Sequence, residues 1–86
     1  METATIAYPD EVRLSLGLTD AQFVDEIRMA AAAKLFELGR LSSGRAAELA
    51  GVSRIRFLHE LARYGVDTFS LSEDDLLRDV ANARPS

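Results

Sequence analysis

The chain has no cysteine and no tryptophan, a single histidine and only two prolines. Without cysteine there is no disulfide framework and no thiol chemistry, although this does not fix the compartment. A lone histidine, His59, has no second histidine or cysteine beside which to hold a metal or act as a base, so it reads as a structural or surface residue. Long apolar runs are missing too. The longest, Met29 to Ala33, is far too short to span a bilayer, and no basic region followed by an apolar stretch marks a secretion signal. No glycine-rich phosphate loop follows a strand, since Leu38-Gly39-Arg40 and Gly44 lack the spacing. A soluble cytoplasmic protein without membrane association is the expectation, and it is not expected to be an enzyme. No cofactor and no metal are expected.

What is present is enough for one small globular domain. Eighty-six residues, 48% of them hydrophobic, form a single unit over 1–86. A chain of this length buries only about 60% of its unfolded surface, so it is marginal alone and a homodimer or a permanent partner would help. The formal net charge is −4, but it is unevenly spread. Residues 1–39 carry seven acids and three bases; residues 40–64 carry five arginines and two glutamates; residues 65–86 carry five acids and two arginines. Only the middle block is positive, with a net +3.

That block holds the most informative stretch, Gly44 to Gly65, which reads as two short helices joined by a tight glycine turn, a helix-turn-helix with its core at about 42–65. Ala47 and Gly51 carry the signal: a small side chain allows close helix crossing, and a glycine four residues later accepts a left-handed turn conformation. Val52 is the buried residue just past the turn, and Ser53 caps the next helix. Ser42 or Ser43 caps the first. The second helix runs from about Arg54 to Tyr64, with Ile55, Leu58, Leu61 and Ala62 expected on its inner side, Phe57 and Tyr64 flanking, and Gly65 as its stop.

Before this motif, Thr19 with Gln22 forms a capping box, and Leu18 can staple to Phe23. Phe23, Ile27, Ala30, Ala31, Leu35 and Leu38 then recur at helical spacing until Gly39. The alanines leave a shallow face, open to ordinary core packing or to a dimer contact. Residues Thr3 to Tyr8 are β-prone and predict a short strand. After Pro9, the alternation of Val12, Leu14 and Leu16 fits a second short strand or a single irregular helical turn. A further β-prone piece, Val66 to Leu71, precedes a last helix capped by Ser72 with Glu73, Asp74 and Asp75 in its first turn. The predicted fold is therefore mainly α: a helix-turn-helix domain with a long first helix, one or two short N-terminal strands, and a short strand plus helix at the C-terminus.

Arg54 and Arg56 are the candidate DNA contacts. They lie in a first helical turn, where the dipole disfavours cations by roughly 0.3–1 kcal/mol each, and phosphate or guanine edges would compensate. The alternative is that they are solvated or pair with acids. Arg45 fits a phosphate contact, and Ser53 is a cap first and a contact second. Glu60 stands nine residues after the turn glycine, where helix-turn-helix motifs commonly carry an apolar residue, and it opposes phosphate if it lies near DNA. At the other end, the segment 66–82 is a candidate partner-binding surface, with Phe69, Leu71, Leu76, Leu77 and Val80 either docking into a basic groove of a partner or completing the domain's own core.

The run Lys34 to Arg54, containing Leu38-Gly39-Arg40-Leu41-Ser42-Ser43-Gly44-Arg45-Ala46-Ala47-Glu48-Leu49-Ala50-Gly51-Val52-Ser53, resembles a family of small prokaryotic helix-turn-helix proteins long catalogued as an uncharacterised protein family. The continuation Phe57-Leu58, Leu61, Tyr64-Gly65-Val66 and the acidic Glu73-Asp74-Asp75-Leu76 match as well, so the resemblance spans roughly 6–82. Val66-Asp67 departs from the glycine-isoleucine-proline-like step of its relatives. The resemblance implies an antitoxin, often paired with a PIN-type toxin: a protein that binds its own promoter as double-stranded DNA and neutralises the toxin by direct contact. Carried over, Arg45, Ser53, Arg54 and Arg56 fall in the DNA-facing part of the motif. The rival expectation is a protein-interaction adaptor that keeps the fold without binding DNA.

Overall fold

The computed structural model describes residues 1–66 of the chain, and in them every regular element is a helix. Helix α1 spans Asp10–Leu16, α2 spans Asp20–Glu37, α3 spans Ser43–Ala50 and α4 spans Arg54–Glu60; α4 continues into a 3₁₀ turn, Leu61–Tyr64.

Local chemistry sets these boundaries. The Thr19 hydroxyl accepts from the Gln22 backbone N–H at 3.2 Å while the Gln22 side chain accepts from the Thr19 N–H at 3.0 Å, the reciprocal capping box the spacing predicts. Ser42, rather than Ser43, caps α3 by accepting from the Arg45 N–H at 3.2 Å. Ser53 does the same for α4, accepting from the Arg56 N–H at 3.1 Å. Helix α3 closes on Gly51 at φ 76°, whose N–H donates to the Glu48 carbonyl while the Val52 N–H reaches back to that of Ala47, both at 3.1 Å. This is a Schellman closure, and it turns the chain sharply into α4.

The expected N-terminal strands are absent, which corrects the predicted fold class. Among the described residues there is no strand, and the N-terminal segment through Tyr8 has no regular structure. A strand needs a neighbour to pair its N–H and C=O groups, and no second strand lies within the described residues, so β-propensity over Thr3 to Tyr8 has nothing to act on. Val12, Leu14 and Leu16 belong to helix α1, which Pro9 precedes and which Asp10 and Glu11 favour from its first turn. Of the strand predicted from Val66, only its first residue is described, and it is not in a strand. Val66 is instead a buried residue after the 3₁₀ turn, its N–H donating to the Leu61 carbonyl at 3.2 Å. The remainder of that piece, the last helix, and Phe69, Leu71, Leu76, Leu77 and Val80 lie outside the described residues.

The core is built on small side chains. Ala32 and Ala33 of α2 meet Ala46, Ala47 and Ala50 of α3, all 6% exposed or less, so the two backbones lie close. Met29, Phe57, Leu61 and Val66 complete the buried cluster, and Phe36 meets Phe57 edge-on with ring centroids 5.8 Å apart. Two phases differ from expectation. In α2 the buried residues are Phe23, Met29, Ala32 and Ala33, which leaves Ile27 and Leu38 exposed. In α4 Phe57 and Leu61 face inward, fully buried, while Ile55 is 72% exposed and Ala62 is exposed. Phe57 and Leu61, four apart, share one face with more apolar volume than Ile55 offers, and that face takes the core. Phe23 packs its ring against Tyr8 at 4.4 Å, which anchors the N-terminal segment to α2.

Candidate nucleic-acid interface

Helices α3 and α4, joined through Gly51, Val52 and Ser53, form the expected helix-turn-helix, with α2 behind them. The turn is held by a residue that the sequence reading did not identify. Arg28 reaches across from α2 so that its Nε–H donates to the Leu49 carbonyl at 2.7 Å, with Nη2 3.5 Å from the Glu48 carbonyl oxygen. A guanidinium there satisfies the Leu49 carbonyl, which the end of α3 leaves without a helical partner, and complements the negative end of its dipole. It also lies over the turn: a Cβ on Gly51 would stand 3.2 Å from both terminal nitrogens of Arg28. Nothing local predicts this, since Arg28 is more than twenty residues from the turn.

The four predicted DNA contacts separate into different roles. Arg54 is half-buried and its Nε–H donates to the Ser43 hydroxyl at 2.7 Å, so it ties the start of α4 to the start of α3. Arg45 pairs with Glu48 one turn along α3 at 2.9 Å. Ser53 is exposed and its hydroxyl accepts at the cap. Arg56 is exposed, as are Ile55 and His59 of the same helix. Ile55 and His59, four residues apart, thus share the outward face of α4, Arg56 lies round the helix toward the groove that Asp25, Glu26 and Glu60 line, and Arg54 turns inward. Helical periodicity around Phe57 and Leu61 is the signal that finds Ile55 and His59 there.

Glu60 does not face that surface unpaired. Its carboxylate accepts from Arg63 three residues on, and Arg63 in turn lies 3.9 Å from Glu26 of α2. The Tyr64 hydroxyl donates to Glu26 at 2.9 Å. Burial first, and then this hydrogen bond to a carboxylate, push the Tyr64 hydroxyl up to about 12. The Glu60 carboxylate beside it likewise holds the Arg63 guanidinium above its ordinary value. These contacts tie the 3₁₀ turn after α4 to α2 along a polar groove that Gln22, Asp25 and Arg56 also line. Among the described residues no group of three histidine, aspartate or glutamate side chains is placed to hold a metal ion, and no helix is long and apolar enough to cross a membrane.

Comparison with known proteins agrees with the resemblance at its coarser level. Residues 1–85 match the model of UPF0175, described as an uncharacterised protein family. A UPF0175 protein of Aeropyrum pernix is 40% identical over 55 residues, covering 64% of this chain and 70% of its own length. No solved structure matches.

Proposed function

The chain belongs to the UPF0175 family, and we propose that it is an antitoxin-type transcriptional regulator that binds its own promoter and neutralises a cognate toxin. The observation that carries the DNA half is the exposure of Arg56, Ile55 and His59 on α4, the second helix of a helix-turn-helix. A second helix of this kind enters the major groove with its early residues toward base edges. In this reading Arg56 meets a guanine edge or a phosphate, Ile55 offers an apolar contact of the kind a thymine methyl accepts, and Arg45 approaches the backbone. Arg54 acts as a positioning residue through Ser43. The toxin half, with a PIN-type nuclease as partner, rests on the family resemblance, and its surface is the segment 66–82. The protein works in the cytoplasm as a homodimer.

The test is binding of the purified protein to its own upstream DNA at several salt concentrations. A sequence-specific complex that weakens steeply with salt is expected, and Arg56→Ala reduces the slope by about 0.9 for a lost phosphate contact. An Arg56→Ala protein that binds as tightly and with the same slope would remove α4 as the reading helix. The adaptor reading draws on a specific observation: Arg45, Arg54 and Arg63 are all engaged within the chain, which leaves fewer cations for phosphate. A folded protein with no specific DNA complex, which also fails to restore growth to cells making the product of its neighbouring gene, would favour it.

A further inference from the structure

Helix α2 is apolar on two sides, and among the described residues only one of them is packed into the core. Met29, Ala32 and Ala33 face the core, with Phe36 packed beside them. On the nearly opposite side lie Val24, Ile27, Ala31 and Leu38, spaced by three, four and seven residues. Of these, Val24 is 51% exposed, Ile27 40% and Leu38 59%, and Ala31 is exposed. The spacing is that of a helix–helix seam, running along about 21 Å. A helix apolar all round is ordinarily covered on both sides.

We propose that this outer face of α2 is where a second copy of the chain docks, with the two α2 helices antiparallel and Ala31 at the two-fold axis. Two observations select this occupant and this direction. First, the seam is self-complementary in size about its centre. In a two-fold antiparallel pair Val24 meets Leu38 of the other copy and Ile27 meets its Leu35, while Ala31 meets its own counterpart with only a methyl group between the backbones. A small residue at the crossing permits an interaxial distance near the short end of the usual 8–10 Å. Second, the seam is self-complementary in charge. Asp20, its side chain 86% exposed even while it meets Arg13 at 3.0 Å, marks one end, and the exposed Arg40 marks the other. Antiparallel docking sets acid against base at both ends and opposes the helix dipoles. Parallel docking sets Asp20 against Asp20 and Arg40 against Arg40. An isologous contact is also the commonest way in which a small chain doubles its buried surface. The proposal stands on the geometry of α2 and is independent of whether α4 reads DNA.

The lack of cysteine in the chain makes the test direct. With Ala31→Cys as the only thiol, mild oxidation of the purified protein is expected to give a covalent dimer on a non-reducing gel. Val24→Cys alone stays unlinked, and Val24→Cys combined with Leu38→Cys links. By sedimentation the native-sequence protein shows a concentration-dependent doubling of mass, and Ile27→Asp weakens it by about a hundredfold while keeping its helical circular dichroism. Three results would overturn the proposal. The native-sequence protein stays monomeric at every concentration; or Val24→Cys links as readily as Ala31→Cys, which means a parallel pair; or Ile27→Asp lowers stability with no change in mass, which assigns the face to the chain's own residues 67–86.

Discussion

The Arg28 guanidinium over the Gly51 turn makes a specific energetic prediction. Gly51→Ala meets two penalties. A Cβ at φ 76° costs roughly 1–2 kcal/mol through left-handed backbone strain. The same Cβ stands 3.2 Å from both terminal nitrogens of Arg28, tighter than ordinary contact, and pushes the guanidinium off the Leu49 carbonyl that it meets at 2.7 Å. That bond, from a charged donor at a half-exposed site, together with its complement to the α3 dipole, is worth about 1–2 kcal/mol. Arg28→Ala should therefore cost about 1–2 kcal/mol, and Gly51→Ala about 2–3 kcal/mol when strain and weakened capping act together. In the double variant only the backbone strain is added to the lost cap. The double variant should be about 1 kcal/mol more stable than the sum of the single losses predicts. Urea unfolding followed by circular dichroism measures all four corners, and each kcal/mol corresponds to about 4–8 °C in Tm for a domain of this size. Additive losses, equal within about 0.3 kcal/mol, would refute the placement of Arg28 over the turn.

Other perturbations separate the framework from the reading surface. Phe57→Ala removes a fully buried ring in edge-on contact with Phe36, and its expected cost of about 3–5 kcal/mol is enough to abolish cooperative unfolding in a domain this small, seen as loss of the thermal transition. Arg54→Ala should lower Tm because it breaks the bond to Ser43, whereas Arg56→Ala should leave Tm within a degree or two and change only DNA binding; calorimetry beside a binding assay distinguishes them. The Tyr64 hydroxyl is raised above its unfolded value near 10, so the folded chain keeps a proton that the unfolded chain releases. Its contribution is fully present below pH 10 and is lost as pH rises through about 12; Tyr64→Phe should flatten this alkaline loss in denaturation midpoints.

The features legible in the sequence are those that close within one helical turn. Thr19 with Gln22, Gly51, Ser53 and Gly65 each act on backbone groups a few residues away, and their partners are fixed by spacing alone. Phase was harder to read. Helix α4 has seven residues, barely two turns, and in so short a span Ile55 and Phe57 fit an inner face equally well until Phe36 and Met29 are there to choose. Helix α2 offered two apolar sides, and the choice between them was made by the alanines of α3, which no pattern within α2 contains. The strand over Thr3 to Tyr8 was misread because β-propensity is a preference for packing against neighbouring strands rather than for an isolated extended chain. At the candidate site, Arg54 was legible as a cation at a helix start, but its engagement with Ser43 depends on how α3 and α4 cross. Arg28 was out of reach for the same reason: its carbonyl partners are set by tertiary packing.

Helix α1 buries none of its residues; Arg13 fixes it locally through the Leu18 carbonyl and Asp20, and the Tyr8 ring holds the segment before it against Phe23. The chain is thus built with two very different lifetimes of protection. The first sixteen residues, held by the Tyr8–Phe23 ring contact and the Arg13 bonds, are expected to open at lower free-energy cost than α2, α3 and α4, which share the core. In hydrogen exchange the α1 amides would be lost within the fastest phase, and a protease would find its first purchase there without waiting for the domain to unfold. Cleavage at this end is expected to proceed on the folded molecule, at a rate set by the protease and not by the stability of the helix-turn-helix.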